Sequence, residues 1–156
     1  GEARFLEDLK TYYRLNKDNI FKNKEVYLIR NSVKQVGFFD EGNFYPDFIM
    51  WIIDENKQYI TFIDPKGLRN TSIYDEKVKL HKTIKEYEQI LNNGNNGQEV
   101  LLNSFILSVT SIDNLLDMYK GIDINYFEDN NILFIDVNED NTETIDKLIN
   151  KILSKK

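Results

Sequence analysis

Two aspartates and a lysine stand in a pattern that could hold a divalent cation. Asp47 follows Pro46 at the start of one apolar run, and Asp64 ends another apolar run, with Pro65 and Lys66 directly after it. Carboxylate oxygens favour a hard ion such as Mg²⁺ or Mn²⁺ over zinc. A lysine beside such an ion can hold or deprotonate a water molecule. Asp47, Asp64 and Lys66 are therefore the candidate catalytic residues.

Two predicted strands would position these residues at one end of a hairpin. The run Phe48–Ile53 is apolar on both strand faces and predicts a buried strand, and Tyr59–Ile63 predicts a second. Residues 54–58 have turn composition, which favours an antiparallel hairpin. Both aspartates then fall at the open end of that hairpin.

The register of the hairpin decides whether the two acids meet. If Asp47 lies opposite Asp64, then Ile53 lies opposite Gln58, and residues 54–57 form a four-residue loop or a bulge. The other parity would place the two acids on opposite faces. Carboxylates opposed on one face repel each other unless a cation joins them, so the first register predicts a cation site.

Pro46-Asp47 and Asp64-Pro65-Lys66 form the pattern PD…DxK, which resembles the PD-(D/E)xK nuclease superfamily. More narrowly, the segments YLIRN, GFFDEGNFYPDF and YITFIDPKGLR are similar to the endonuclease domain of type III restriction-like and DEAD-box helicase proteins. The resemblance covers roughly residues 2 to 90. It implies an α/β, restriction-endonuclease-like fold with three α-β-α layers around a central mixed sheet.

This resemblance also implies a Mg²⁺-dependent endonuclease acting on DNA, in which Mn²⁺ can substitute. The implied metal ligands are Asp47, Asp64, the backbone carbonyl of Pro65 and an acid on the first helix. Glu2 is the candidate by position and Glu7 the alternative, although a helix N-terminus favours a carboxylate without any metal. The family commonly has a small or apolar residue where Pro65 stands. A proline lacks the N–H group and is tolerated only at a strand end or edge.

The helix predicted after the second strand carries a basic border. Lys77, His81 and Lys85 follow one another at single-turn spacing and could contact a phosphate backbone. A solvated charged face is the alternative, because acidic residues are interspersed. His81 is the only histidine, which gives little support to a histidine metal site or a catalytic triad. The apolar stripe of this helix comprises Ile73, Leu80, Ile84, Tyr87 and Leu91.

The remaining predicted elements frame the hairpin, and nothing in residues 92 to 156 suggests chemistry. Asp40 and Glu41 are interpreted as solvated turn acids, and Arg30 as a surface or ion-paired residue. The predicted elements are a helix over residues 2 to about 16, strands Glu25–Arg30, Val100–Val109 and Asn131–Asp136, a short helix Ile112–Tyr119 capped by Ser111 and stopped by Gly121, and a helix from Asn141 onward.

Composition sets limits on the class of protein. The 156 residues predict one domain, and ten Phe, nine Tyr and one Trp supply a large core. A net charge of −6 argues against a free-standing, tight nucleic-acid binder. A tethered domain can gain affinity through effective concentration. The chain starts at Gly1 already in a helical pattern and without an initiating Met, so we expect a domain excised from a larger protein. The resemblance implies an attached helicase or ATPase domain as a partner.

Two alternative functions remain open. The first is a catalytically inactive domain of the same fold that binds nucleic acid or a partner protein. The second is an interaction module in which Asp47 and Asp64 lie on opposite faces. The chain has no cysteine and no apolar run approaching a membrane span, which together fit a cytoplasmic protein without a membrane partner.

Overall fold

The computed structural model describes residues 1–32, 36–37, 44–94 and 97–154, except for the side chains of Glu76 and Lys77. Within these residues the chain is α/β, with a five-stranded mixed sheet and helices on both faces. The strands are β1 (Glu25–Arg30), β2 (Phe48–Asp54), β3 (Lys57–Lys66), β4 (Glu99–Ser108) and β5 (Ile132–Phe134). The helices are α1 (Glu2–Asn16), α2 (Glu76–Asn92), α3 (Ile112–Met118), α4 (Ile124–Asp129) and α5 (Thr142–Leu153).

The strands lie side by side in the order in which they occur along the chain. β1, β2 and β3 pair antiparallel, whereas β4 and β5 continue the sheet in parallel with β3. The parallel step from β3 to β4 requires a crossover, which contains α2. β3 is therefore the central strand, and its carboxyl end carries Asp64, Pro65 and Lys66.

Of the two hairpin registers that the sequence leaves open, the structure has the one that places Asp47 opposite Asp64. Phe48 pairs with Ile63 at one end, and Ile53 pairs with Gln58 at the other. The predicted loop was too long, because Asp54 and Lys57 still pair and the turn is only two residues. Glu55 adopts a left-handed backbone conformation with φ of 54°, so the chain reverses within that short turn.

Side chains of the sheet contribute to three hydrophobic clusters, two of which lie on opposite faces of the sheet. On one face Phe48 and Ile63 pack with Phe5 of α1 and with Leu148 and Ile149 of α5. On the other face Ile49, Phe62 and Leu102 pack with Leu80 and Ile84 of α2. This arrangement of a sheet between helical layers is compatible with a three-layer α-β-α fold.

The outer edge of β4 is covered largely by side chains of α2. β5 pairs only with the last residues of β4, from Ile106 to Ser108. Closer to the start of β4, Asn92 both donates to and accepts from the Val100 backbone at 2.8 Å. Glu88 accepts from the Leu102 N–H at 2.7 Å, and Lys85 donates to the Leu102 carbonyl at 2.6 Å. These bonds satisfy backbone groups that would otherwise form an open sheet edge.

Several boundaries differ from the prediction. β5 is shorter than the predicted strand, Leu91 is 50% exposed at the end of α2, and α4 was not predicted at all. The Asp123 carboxylate caps α4 by accepting from the Tyr126 N–H. The predicted cap of α3 is confirmed, since Ser111 accepts from the Asn114 N–H.

Among the described residues, no helix combines the length and the apolar character needed to cross a membrane.

Candidate active site

Asp47 and Asp64 lie next to each other at the open end of the hairpin. The last ladder pair is Phe48 with Ile63, so the same register brings Asp47 alongside Asp64 one position further on. Side chains alternate along a strand, which puts both carboxylates on the face that also bears Phe62. Asp64 is only 7% exposed and Asp47 is half-buried. The opposite-face arrangement required by the interaction-module alternative is not the one observed.

The Lys66 ammonium is held directly beside Asp64. Its Nζ lies 3.1 Å from Asp64 Oδ2 and 5.4 Å from the ring centroid of Phe44. Phe44 is buried against the α2 face of the sheet. The carboxylate and the aromatic face together fix the position of the ammonium.

A buried asparagine holds the strand entry that carries Asp47. Asn31 is 7% exposed, and its backbone N–H donates to the Asp47 carbonyl at 2.8 Å. Its side-chain amide donates to the carbonyls of Pro46 at 2.9 Å and Val36 at 2.8 Å. No sequence pattern singles out Asn31, so this positioning role could not be predicted.

Pro65 lies at a position where no backbone hydrogen bond between strands is lost through its missing N–H group. The Lys66 carbonyl accepts from the Val109 N–H at 3.0 Å, so the peptide groups of Lys66 face β4. Successive residues alternate, which turns the peptide groups of Pro65 toward β2. The pairing of β2 already ends at Phe48, so a proline is tolerated there. The Pro65 carbonyl therefore points toward the β2 side of β3, where Asp47 lies just before the start of β2.

Glu2 belongs to the helical layer on the opposite face of the sheet. Its Oε1 accepts from Arg30 at 3.3 Å, so Arg30 is ion-paired, as predicted. A Cβ added to Gly1 would lie 3.7 Å from Pro65 Cβ, which shows that α1 begins close to the end of β3. Glu7 is exposed on α1. The start of α1 thus reaches the site region, while the Glu2 carboxylate contacts Arg30.

The candidate donor set is small. Among the described residues, no group of three or more His, Asp or Glu side chains is arranged to hold a metal ion. The candidate oxygen ligands near the hairpin end are the carboxylates of Asp47 and Asp64 and the carbonyl of Pro65. Asp40 and Glu41 lie outside the described residues.

The three residues of the predicted basic border of α2 differ in what the structure shows of their side chains. His81 Nε2 lies 3.2 Å from Asn130 Oδ1, and burial lowers the pKa of its imidazole, with the charges of Lys82 and Lys151 acting in the same direction. The Asn130 hydrogen bond opposes this lowering. The lowered pKa favours the neutral form of the His81 imidazole. The side chain of Lys77 lies outside the described residues.

Lys85 is already bonded to the protein. Besides the Leu102 carbonyl, its Nζ contacts Glu88 Oε2 at 3.0 Å and Asn103 Oδ1 at 3.3 Å. Lys85 and His81 line a cavity of about 950 Å³ that Lys57 and Tyr59, from the first half of β3, also line. This cavity lies toward the other end of β3 from Asp64. The phosphate-contact role of this border stays a prediction.

The bonds made by Lys85 lead to a testable expectation. Lys85→Ala should lower the free energy of unfolding by about 1–3 kcal/mol, because the Leu102 carbonyl and Glu88 lose a charged partner. Urea denaturation measures this loss, and Lys79→Ala, at an exposed position of α2, is the matched control. If Lys85 instead serves only DNA, stability stays unchanged while the salt dependence of DNA binding falls.

No family model, no curated protein and no solved structure matches this chain.

Proposed function

We propose that this domain is a metal-dependent nuclease that hydrolyses phosphodiester bonds in DNA, built on a restriction-endonuclease-like fold. One observation carries the proposal. The hairpin register brings Asp47 and Asp64 together on one face, with the Lys66 ammonium 3.1 Å from Asp64. Two acids and one amine at a strand end are the groups that metal-assisted phosphoryl chemistry requires.

The donor set suits Mg²⁺, with Mn²⁺ as a substitute. Mg²⁺ is usually held in proteins by one or two carboxylates, and it retains several waters and takes phosphate oxygens as further ligands. Asp47, Asp64 and the Pro65 carbonyl meet that requirement without a third acid. Glu2 would contribute directly or through water only after releasing Arg30. A bound ion would supply neutralisation of the phosphate charge and a lower pKa for water.

Side chains of this domain would position the groups that react. A water oxygen attacks phosphorus, and the new P–O bond replaces the bond to the leaving sugar oxygen. The water gives up a proton to solvent, and the leaving oxygen takes one up. Lys66 would orient the attacking water or stabilise the negative charge on the pentavalent phosphorus. Phe44 and Asp64 keep the ammonium in place for that role.

Lys66→Ala should slow DNA nicking by about a hundredfold while leaving the metal bound, because the cation near phosphorus is lost. Single-turnover nicking of supercoiled plasmid measures the rate, and calorimetric titration with Mn²⁺ measures metal binding. Lys22→Ala, at an exposed turn residue, is the control. A loss smaller than about tenfold with Mn²⁺ still bound would remove Lys66 from the mechanism.

The decisive experiment is plasmid nicking by the wild-type chain in Mg²⁺, with and without EDTA. The nuclease proposal expects nicking that EDTA abolishes, together with specific Mn²⁺ binding. Specific DNA or protein binding without nicking would favour the catalytically inactive alternative. The net charge of −6 makes unaided DNA affinity weak, so a tethered helicase or ATPase is the partner that best fits this function.

A further inference from the structure

A polar cavity opens directly beyond the candidate catalytic lysine. It measures about 590 Å³ and is lined by Gly67, Arg69 and Asn70 after β3, and by Val109, Thr110, Ser111 and Asn114 after β4. β3 and β4 are parallel, so their carboxyl ends meet at this edge of the sheet.

The walls of this cavity are tied to each other. The Lys66 carbonyl accepts from the Val109 N–H at 3.0 Å, and Thr110 Oγ1 accepts from the Leu68 N–H at 2.9 Å. The buried Ser108 hydroxyl bonds both the N–H and the carbonyl of Thr110. Two chain segments that leave neighbouring strands are thus fixed relative to each other, which preorganises the cavity for a ligand.

The chemistry of the lining favours an anion. Among the described residues that line the cavity none is acidic, although the chain carries a net charge of −6. Arg69 is exposed and makes no hydrogen bond or ion pair with the described residues. The other polar lining groups are hydroxyl and amide side chains, which can donate to phosphate oxygens. An arginine guanidinium pairs with phosphate in a bidentate manner.

We infer that this cavity binds a backbone phosphate of the DNA strand near the phosphodiester presented to Asp64 and Lys66, with Arg69 as the binding cation. The identification of the bound strand as DNA rests on the proposed function. Arg69 follows Lys66 by three positions, which limits the separation of their Cα atoms to about 11 Å. A DNA strand carries one phosphate for about every 3.4 Å of helix axis, so a strand lying across Asp64 brings further phosphates within that reach.

Fluorescence anisotropy with a labelled DNA duplex in EDTA tests the inference without requiring cleavage. Arg69→Ala should weaken binding about tenfold and lower the salt slope by about one, equally for duplexes of different sequence. Arg69→Lys should retain part of the affinity. Arg14→Ala is the matched control, because Arg14 is exposed in the last turn of α1, far from the helix start that contacts Pro65. Thermal melts of both alanine variants confirm that they remain folded.

The outcomes separate this inference from the nuclease proposal. If the wild type nicks DNA and Arg69→Ala binds and nicks like the wild type, the cavity inference is wrong and the nuclease proposal stands. If nothing nicks, yet Arg69→Ala alone loses DNA binding, the cavity inference stands and the nuclease proposal fails. Absence of DNA binding by the wild type, or an equal loss in Arg14→Ala, overturns the inference.

Discussion

Asp47→Asn and Asp64→Asn are each expected to reduce Mg²⁺-dependent DNA nicking by about a thousandfold or more. Asparagine keeps the size of the side chain and one acceptor oxygen but removes the negative charge that a divalent cation needs. The structure places both acids at the open end of the hairpin, on one face. Single-turnover nicking of plasmid gives the rates, and Mn²⁺ titration calorimetry should show specific binding lost in both variants.

The double variant distinguishes a shared site from two separate contributions. If both carboxylates hold one ion, Asp47→Asn combined with Asp64→Asn should be no slower than the worse single variant. Asp18→Asn, at an exposed residue after α1, provides the control for a change in net charge alone. Independent, multiplicative losses would mean that the two acids act at different places. A rate within about tenfold of the wild type in either single variant would contradict the metal-site proposal.

The hairpin could be predicted because its information is local. A strand has a side-chain period of two, so only two parities exist for the pairing of β2 with β3. The apolar runs and the turn residues between them predict the hairpin but leave both parities open, and the structure has the parity that brings Asp47 alongside Asp64. Local sequence also predicted two further features. Pro65 was expected at a strand end or edge, and Ser111 was expected to cap α3. The shorter turn escaped prediction because Glu55 adopts a backbone conformation that non-glycine residues seldom use.

Contacts between distant segments could not be predicted in the same way. Helical periodicity placed Lys85 at the border of the buried stripe of α2, but it carries no information on which backbone groups that border meets. The Leu102 carbonyl became its partner because β5 leaves most of the β4 edge uncovered. Asn31 and the Glu2 ion pair with Arg30 likewise depend on which elements pack together. α4 was missed because its six residues are too few to show a periodic pattern.

Phe48→Ala is expected to lower the free energy of unfolding by about 3–5 kcal/mol. Phe48 is completely buried, and its ring packs edge-on against Phe5 with 5.2 Å between centroids. The truncation leaves a cavity between β2 and α1, since neighbouring side chains collapse only in part. Total stability of a domain is about 5–15 kcal/mol, so the variant would lose much of it. Urea denaturation followed by circular dichroism measures the change, with Leu15→Ala on the exposed side of α1 as the control.

The same substitution tests whether packing positions Asp47. Phe48 directly follows Asp47, and its ring anchors the start of β2 against α1 while Asn31 holds the preceding backbone. Phe48→Leu keeps most of the buried volume and should retain both stability and nicking. Phe48→Ala, assayed at a temperature where it is still folded, should nick more slowly because Asp47 loses its fixed position beside Asp64. If it nicks like the wild type when folded, the hydrogen bonds from Asn31 alone suffice to place Asp47, and core packing beneath β2 contributes to stability only.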